Sequence, residues 1–294
     1  MAKKQKGYHI LAILGFILSF LGLLSVFGII LCIVALLQIP KTKQKGQGLA
    51  IAGVVIGIIM FSSSLLVIAF AFFYFNNYIV MGSGNIVTES FDVSDFSKVS
   101  LESQGDIFIT QVDDYSLVIE TDDNIMQQLT VVVSEDTLVI GKKSQVFQLR
   151  PSDSIKIMLS MPELEKISVS GAATIKSVNQ INSEKLTLSI SGAGESNLDL
   201  NVQELNTIIS GAAKSILRGK AKVHNIEISG FGEINAFELE TEKTDITSSG
   251  AGEAELFVTQ DLDIQISGAG DIAYKGNPSI TQTVSGAGKI RKID

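Results

Sequence analysis

Seven polar residues, six of them charged, recur at one offset. Thr174, Glu195, Lys214, Glu233, Glu253, Asp271 and Lys289 each lie four residues after a serine that opens a Ser-Gly dipeptide. If the repeats stack, these side chains form a column, with Glu233, Glu253 and Asp271 as three like charges about 4.8 Å apart. Such acids either splay into solvent or hold a cation. Calcium wants about six to eight oxygens, and calcium-binding solenoid repeats recur roughly every nine residues, unlike the ~20-residue period here. A solvated ladder is the favoured reading, the three acids are a weak candidate cation ladder, and neither a metal nor any other cofactor is expected.

The catalytic inventory is poor. There are two histidines: His9 beside an apolar run and His224, which stands alone near the start of a repeat. The repeating serines Ser170, Ser191, Ser210, Ser229, Ser249, Ser267 and Ser285 therefore have no base, and a serine ladder that satisfies itself and the backbone is expected instead. Carboxylate chemistry on sugars is the rival, but it needs a cleft and stacking aromatics. Tryptophan is absent, and Phe231, Phe237, Phe257 and Tyr274 share no offset. Gly-x-Gly at Gly192 and Gly194, and at Gly268 and Gly270, lacks the third glycine and the helix of a dinucleotide fingerprint. The single cysteine, Cys32, excludes a disulfide framework, and the preceding Ile30 and Leu31 are not the small residues of a lipid-attachment site. No enzyme is expected.

The elements that position these residues follow from the repeat. The Ser-Gly serines are spaced by 21, 19, 19, 20, 18 and 18 residues. The residue before each reads Val169, Ile190, Ile209, Ile228, Ser248, Ile266, Val284; two further back stand Ile167, Leu188, Thr207, Ile226, Ile246, Ile264, Gln282. A two-residue period is a strand with one buried face, and its recurrence in register means equivalent strands stacked on one another. The glycines Gly171, Gly192, Gly211, Gly230, Gly250, Gly268 and Gly286 mark the corner, where they are expected to permit a sharp turn, while the alanine or glycine next to them keeps the corner narrow enough to stack. Alternation resumes after the corner at 196–200, 233–239 and 254–258, so each coil holds two or three short strands whose core exists only between neighbours. Strand-like segments at 99–102, 106–110, 116–120, 130–134, 137–142 and 155–161 are expected to start the same solenoid less regularly.

Composition divides the chain near residue 80. Residues 1–78 contain no acid and six lysines, a charge of +6; the remainder holds all 31 acids against the other 17 of the 23 basic residues, a balance of −14. That excess excludes nucleic acid as a partner. Residues 10–39 and 49–75 are free of charge and longer than a bilayer crossing requires, and the first is too long for a cleaved signal peptide. As one helix it would be about 45 Å long, so a break near Gly22, Ser25 and Gly28 is expected. Lys3, Lys4 and Lys6 lie on one flank and Lys41, Lys43 and Lys45 on the other; positive residues stay cytoplasmic, so a folded-back first run is expected. Gly48, Ala52, Gly53 and Gly57 could let helices approach closely. The expected organisation is a transmembrane anchor over 1–78 with two or three crossings and a basic cytoplasmic loop at 40–48, a linker over 79–87, and an extracytoplasmic solenoid domain over 88–294.

Residues 44–53, QKGQGLAIAG, resemble the basic-loop signature of a small bacterial membrane-domain family of unknown function, over about 8–70. The stretches FDVSDFSKV (91–99), GDIFI (105–109) and MPEL (161–164), with the SGAG runs, resemble the putative auto-transporter adhesin head GIN domain over roughly 88–290. That resemblance implies an all-β solenoid, a right-handed single-stranded β-helix, displayed on a bacterial envelope behind the all-α membrane segment. Auto-transport itself is not expected, because the anchor is N-terminal and the repeats run to the last residues. A multi-pass protein of the bacterial cytoplasmic membrane follows, with the bilayer and an unknown envelope protein or glycan as partners. An adhesion-like display module is the favoured function; an envelope sensor, a scaffold that self-associates end to end and a carbohydrate-active β-helix enzyme are the alternatives.

Overall fold

The structure, a computed structural model, describes residues 8–42 and 44–293; Lys3, Lys4, Lys6 and Lys43 of the two basic clusters, and Asp294, lie outside them. The chain forms two compact units, Met1–Tyr78 and Ile79–Asp294.

In the first unit the long apolar run breaks at Gly22, whose φ of 58° is one that glycine adopts without a side-chain clash. The pieces are unequal: α1 (Ile10–Leu18) is only about 14 Å long, and a single 3₁₀ turn leads into α2 (Ser25–Thr42). The run does fold back, because the His9 amide donates to the Lys45 carbonyl (2.9 Å), which puts the start of α1 beside the basic loop. Then α3 (Gln47–Tyr78) packs on both through small residues. Ser19 Oγ donates to Gly53 O (2.7 Å) and Ser25 Oγ to Gly57 O (3.0 Å), bonds that the missing side chains permit, whereas Gly48 meets open space. Gly22–Lys41 and Gln47–Phe73 are long and apolar enough to cross a membrane, each with a mean hydropathy of 2.6.

The second unit is a solenoid of about seven turns. Its regular part follows an irregular start. That start comprises β1 (Ile79–Met81), β2 (Ile86–Phe91), β3 (Lys98–Leu101), β4 (Gln104–Gln111), β5 (Ser116–Asp122), a helical turn α4 (Asp123–Met126), β6 (Leu129–Ser134), β7 (Thr137–Lys142), β8 (Gln148–Arg150) and β9 (Lys156–Met161). The coils follow as β10 (Lys166–Val169), β11 (Ala172–Ser177), β12 (Ile181–Ile190), β13 (Ala193–Ile209), β14 (Ala212–Ile228), β15 (Phe231–Ser248), β16 (Glu253–Ile266), β17 (Asp271–Lys275), β18 (Ser279–Val284) and β19 (Lys289–Lys292). Every pairing between successive coils is parallel, and Ile190, Ile209 and Ile228 lie opposite one another in turn. A buried row runs from Leu138 through Val99, Ile167, Leu188, Thr207, Ile226 and Ile246 to Ile264. Long strands bend around corners, which is why β13 to β15 span whole coils.

The irregular start departs from the expected solenoid. β3 and β4 form one coil; the chain then leaves, builds β5 to β9, and returns at β10, so that this coil is sandwiched between the parallel strands β7 and β9 on one side and β10 and β11 on the other. The outer layers run antiparallel: β2 on β5, β5 on β9, and β6 on β7. Glu135 and Asp136, at φ 47° and 65°, make the tight turn between β6 and β7, a backbone suited to hairpins. The physical reason is the open edge: a parallel coil presents unpaired amides at its end, and hairpins of reversed direction cover them. Residues 79–87, read from the sequence as a linker, carry β1 and the beginning of β2.

Alternation along β13 gives a direct test. Ile209 is fully buried and Ile208 is 37% exposed. Ile209→Ala should lower the unfolding free energy by about 2–5 kcal/mol and Ile208→Ala by under ~1 kcal/mol, in denaturant titrations of the full chain followed by circular dichroism.

Candidate functional site: a corner trough and its charge column

At most corners the chain runs from an inward apolar residue through an exposed serine to glycine and then to alanine; Ser248 replaces the apolar residue at one corner, Val284 is exposed at the last, and Phe231 replaces the alanine at another. None of the seven corner glycines has a positive φ, so turn conformation is not what requires glycine there. Close approach is. A Cβ on Gly192, Gly211, Gly230, Gly250, Gly268 or Gly286 would overlap the carbonyl oxygen of the glycine one coil before, and on Gly171 that of Ser103. Those carbonyls accept from the next corner: Ala193 N to Gly171 O (3.0 Å), Ala212 N to Gly192 O (3.0 Å), Phe231 N to Gly211 O (2.9 Å), and so on to Ala287 N on Gly268 O (2.9 Å). Each carbonyl occupies the space a side chain would need.

The small corner residues floor an open trough of about 730 Å³ along the solenoid, walled by the charge column. Thr174, Glu195, Lys214, Glu233, Glu253, Asp271 and Lys289 lie opposite one another in that order. Lys214 Nζ lies 2.6 Å from Glu233 Oε1, and this hydrogen bond raises the lysine pKa. Asp271 has Arg291 at 3.8 Å, a partner that the repeat alone does not reveal because it comes from the following strand. Glu253 stands between Glu233 and Asp271 with no ion pair among the described residues. Among those residues no three His, Cys, Asp or Glu side chains converge as a metal site. Phe231 fills the place that alanine takes at the other corners, and it is 73% exposed.

Other sequence candidates take different places. The corner serines do not bond one another among the described residues; Ser191 and Ser285 lean on the carbonyls of Val169 (3.3 Å) and Ile266 (3.4 Å), because their side chains point outward. The serine pair lies inside, Ser196 Oγ to Ser215 Oγ at 2.9 Å. His224 also lies inside, buried, with Nε2 3.0 Å from Thr207 Oγ1, and burial pushes its pKa down to about 3. His9 precedes α1 and is nearly buried. Gly194 and Gly270 face the interior: a Cβ there would press on Ala173 O (2.8 Å) and Ser248 Oγ (3.3 Å). Phe237 and Phe257, though at different offsets, come together around Lys275, whose Nζ is 5.7 and 4.6 Å from their ring centres. A register shift between Ala236 and Glu240 brings this about, which spacing alone conceals.

In-register parallel coils with one charged, grooved corner define a β-solenoid. The chain belongs to the family of the putative auto-transporter adhesin head GIN domain, which matches residues 95–278. Residues 10–68 match a second family, described as a domain of unknown function. Similar solved structures include a putative adhesin from Bacteroides fragilis (28% identity, TM-score 0.70, covering 73% of this chain and 100% of that one). They also include a putative lipid-binding protein from Parabacteroides distasonis (24%, TM-score 0.60, 74% and 100%) and a putative adhesin from Parabacteroides merdae (23%, TM-score 0.56, 74% and 99%). No curated protein matches.

Two outcomes are expected. Gly230→Ala, in the middle of the ladder, should cost about 3 kcal/mol or more, by overlap with backbone that cannot move aside, whereas Gly48→Ala should be near neutral; thermal unfolding of the full chain compares them. His224 titrates near ~6.5 when unfolded and about 3 when folded, so the unfolded state binds the extra proton between those values. Stability is then complete above about pH 6.5 and falls as the pH drops toward 3. His224→Leu, matching its register neighbour Leu205, should flatten that part of the stability profile in denaturant titrations run from pH 7 to 4.

Proposed function

We propose that this protein is a membrane-anchored, extracytoplasmic, adhesion-like binding module without a catalytic site, and that the corner trough is its contact face. The observation that carries this reading is Phe231: an exposed aromatic ring takes the place of an alanine, in a trough walled by acids. The backbone there is a continuous ladder, so the face is presented without rearrangement. Carboxylates beside an exposed ring suit hydroxyl groups or cations, and the partner class is an envelope glycan or a basic segment of an envelope protein.

The anchor reading is that the α1–α2 hairpin enters the bacterial cytoplasmic membrane and returns, and that α3 carries the chain outward. His9 beside Lys45 supports a common side for both basic clusters, and exposed apolar side chains on α3, such as Leu66 at 71%, support a lipid environment. The hydroxyl–imidazole pair of Thr207 and His224 is fully buried in the core, out of reach of a substrate, which favours binding without turnover.

Phe231→Ala and Glu253→Gln should each weaken retention of the nanodisc-embedded chain on isolated bacterial envelopes about tenfold, or ~1.4 kcal/mol, at unchanged thermal midpoint. Equal retention by both variants would assign binding to another face. A tag placed after Asp294 should be cut by protease on intact cells, and its protection would contradict the outward orientation.

A further inference from the structure

The corner trough has the proportions of an extended polymer. Its charge column runs in register from Glu195 through Lys214, Glu233, Glu253 and Asp271 to Lys289, one residue per coil. Five steps of about 4.8 Å give a length of about 24 Å. The floor has few polar groups to offer. The amides of Ala212, Phe231, Ala251, Ala269 and Ala287 each donate to a glycine carbonyl of the coil before, at 2.9 to 3.1 Å, so the alanines add only methyl groups to the surface. Among them stands the ring of Phe231, directly opposite Ala212 and 73% exposed. The wall is different. It carries a hydrogen-bonding side chain on every coil, and its charge is compensated in part: Lys214 holds Glu233 at 2.6 Å, and Asp271 has Arg291 at 3.8 Å and Lys289 opposite it.

Spacing separates the two ligand chemistries that carboxylates suit. In an extended peptide the side chains of one face recur about every 6.6 Å, which falls out of step with rungs about 4.8 Å apart. Lysines or arginines on such a peptide would also meet Lys214 and Lys289 in the same row as the acids. In an extended β-linked polysaccharide each sugar advances by close to one strand spacing, so successive rings keep step with successive coils. A pyranose ring is apolar on its faces and edged with hydroxyls, which matches a methyl floor, an aromatic ring and a wall of both acceptors and donors. An acetamido substituent adds an N–H for a carboxylate and a methyl group for the floor.

We propose that the trough binds an extended β-linked glycan of N-acetylhexosamine type, which lies along the solenoid axis with one sugar to each coil and has Phe231 stacked on a ring near its middle. The inference rests on the reading of the trough as the contact face and narrows the partner to one class. A polymer in step with the coils gains one further set of contacts with every coil it crosses. Affinity therefore follows chain length up to the six rungs from Glu195 to Lys289 and no further.

Calorimetric titration of the full chain in nanodiscs tests this, with chitin-type oligomers of β-linked N-acetylglucosamine, two to eight sugars long, and with hepta-lysine as the basic peptide. The dissociation constant should fall about threefold with each sugar added up to six and then level off, and Phe231→Ala should raise it about tenfold for the hexamer. Ala269→Leu tests the register. Ala269 is exposed at the corner position that Phe231 occupies two coils earlier, where a large outward side chain is already accommodated, so leucine there blocks the trough beside Asp271 and leaves the four rungs from Glu195 to Glu253. The hexamer should then bind no more tightly than the tetramer. Affinity that does not rise with length, or a hexamer indifferent to Ala269→Leu, would overturn one sugar per coil. Hepta-lysine binding without any oligomer binding would overturn the glycan and leave the trough as the contact face. So would binding of neither probe, if Phe231→Ala still lowers retention on envelopes. Retention unchanged in both Phe231→Ala and Glu253→Gln would remove the contact face and the glycan together.

Discussion

Backbone resting on backbone at the corner is the constraint from which the rest of the solenoid follows. Because each glycine carbonyl accepts from the next corner and fills the space of a Cβ, the coils cannot slip along one another without a collision. A slip of one residue would also turn every inward isoleucine to solvent. Fixed register then aligns side chains that are 18 to 21 residues apart in sequence: the apolar row becomes a core, and the charged residues become the wall of a trough.

Stacking also determines what the interior tolerates. Ser196 meets Ser215, Thr207 meets His224, and Thr241 donates to the Phe257 carbonyl of the next coil, so hydroxyls that would be costly to bury alone find partners through the fold. The start of the solenoid solves a different problem. A coil with nothing before it would expose a ladder edge, and the antiparallel layers of β2, β5 and β9 and of β6 and β7 close it. Side-chain hydrogen bonds also tie down the region following α3, with Asp122, Asp123 and Asn124 holding residues 81–85.

The periodic features were legible in the sequence. Alternation before Ser-Gly located the buried row, and the constant offset of Glu195, Lys214 and Glu233 placed them in one column, because parallel coils of nearly equal length preserve both. Features that depend on departures from the period were not. Phe237 and Phe257 share Lys275 beside a register shift, Arg291 reaches Asp271 from the next strand of the ladder, and the hairpin cap runs against the direction of every repeat. The close approach at the corner glycine was hidden for a similar reason: composition shows that a small residue is needed, but only neighbouring coils show that a carbonyl occupies its side-chain space. Gly219 and Gly276, with φ near 100°, are the positions where turn conformation does demand glycine, and they lie outside the Ser-Gly repeat. In the anchor, charge-free length announced a broken first run, while the unequal division at Gly22 depended on helix packing that hydropathy does not encode.

Register itself can be measured by cross-linking. Ile208 and Glu227 face outward directly opposite each other on β13 and β14, and Asn225 lies on the same face two residues away. In a Cys32→Ser background, the double variant Ile208→Cys with Glu227→Cys should form a disulfide rapidly on mild oxidation, since opposed Cα atoms lie within the span of about 4.4–6.8 Å that the bond requires. Ile208→Cys with Asn225→Cys should lag far behind. Faster closure of the Asn225 pair would contradict the stacking on which the trough, the charge column and the buried core all depend.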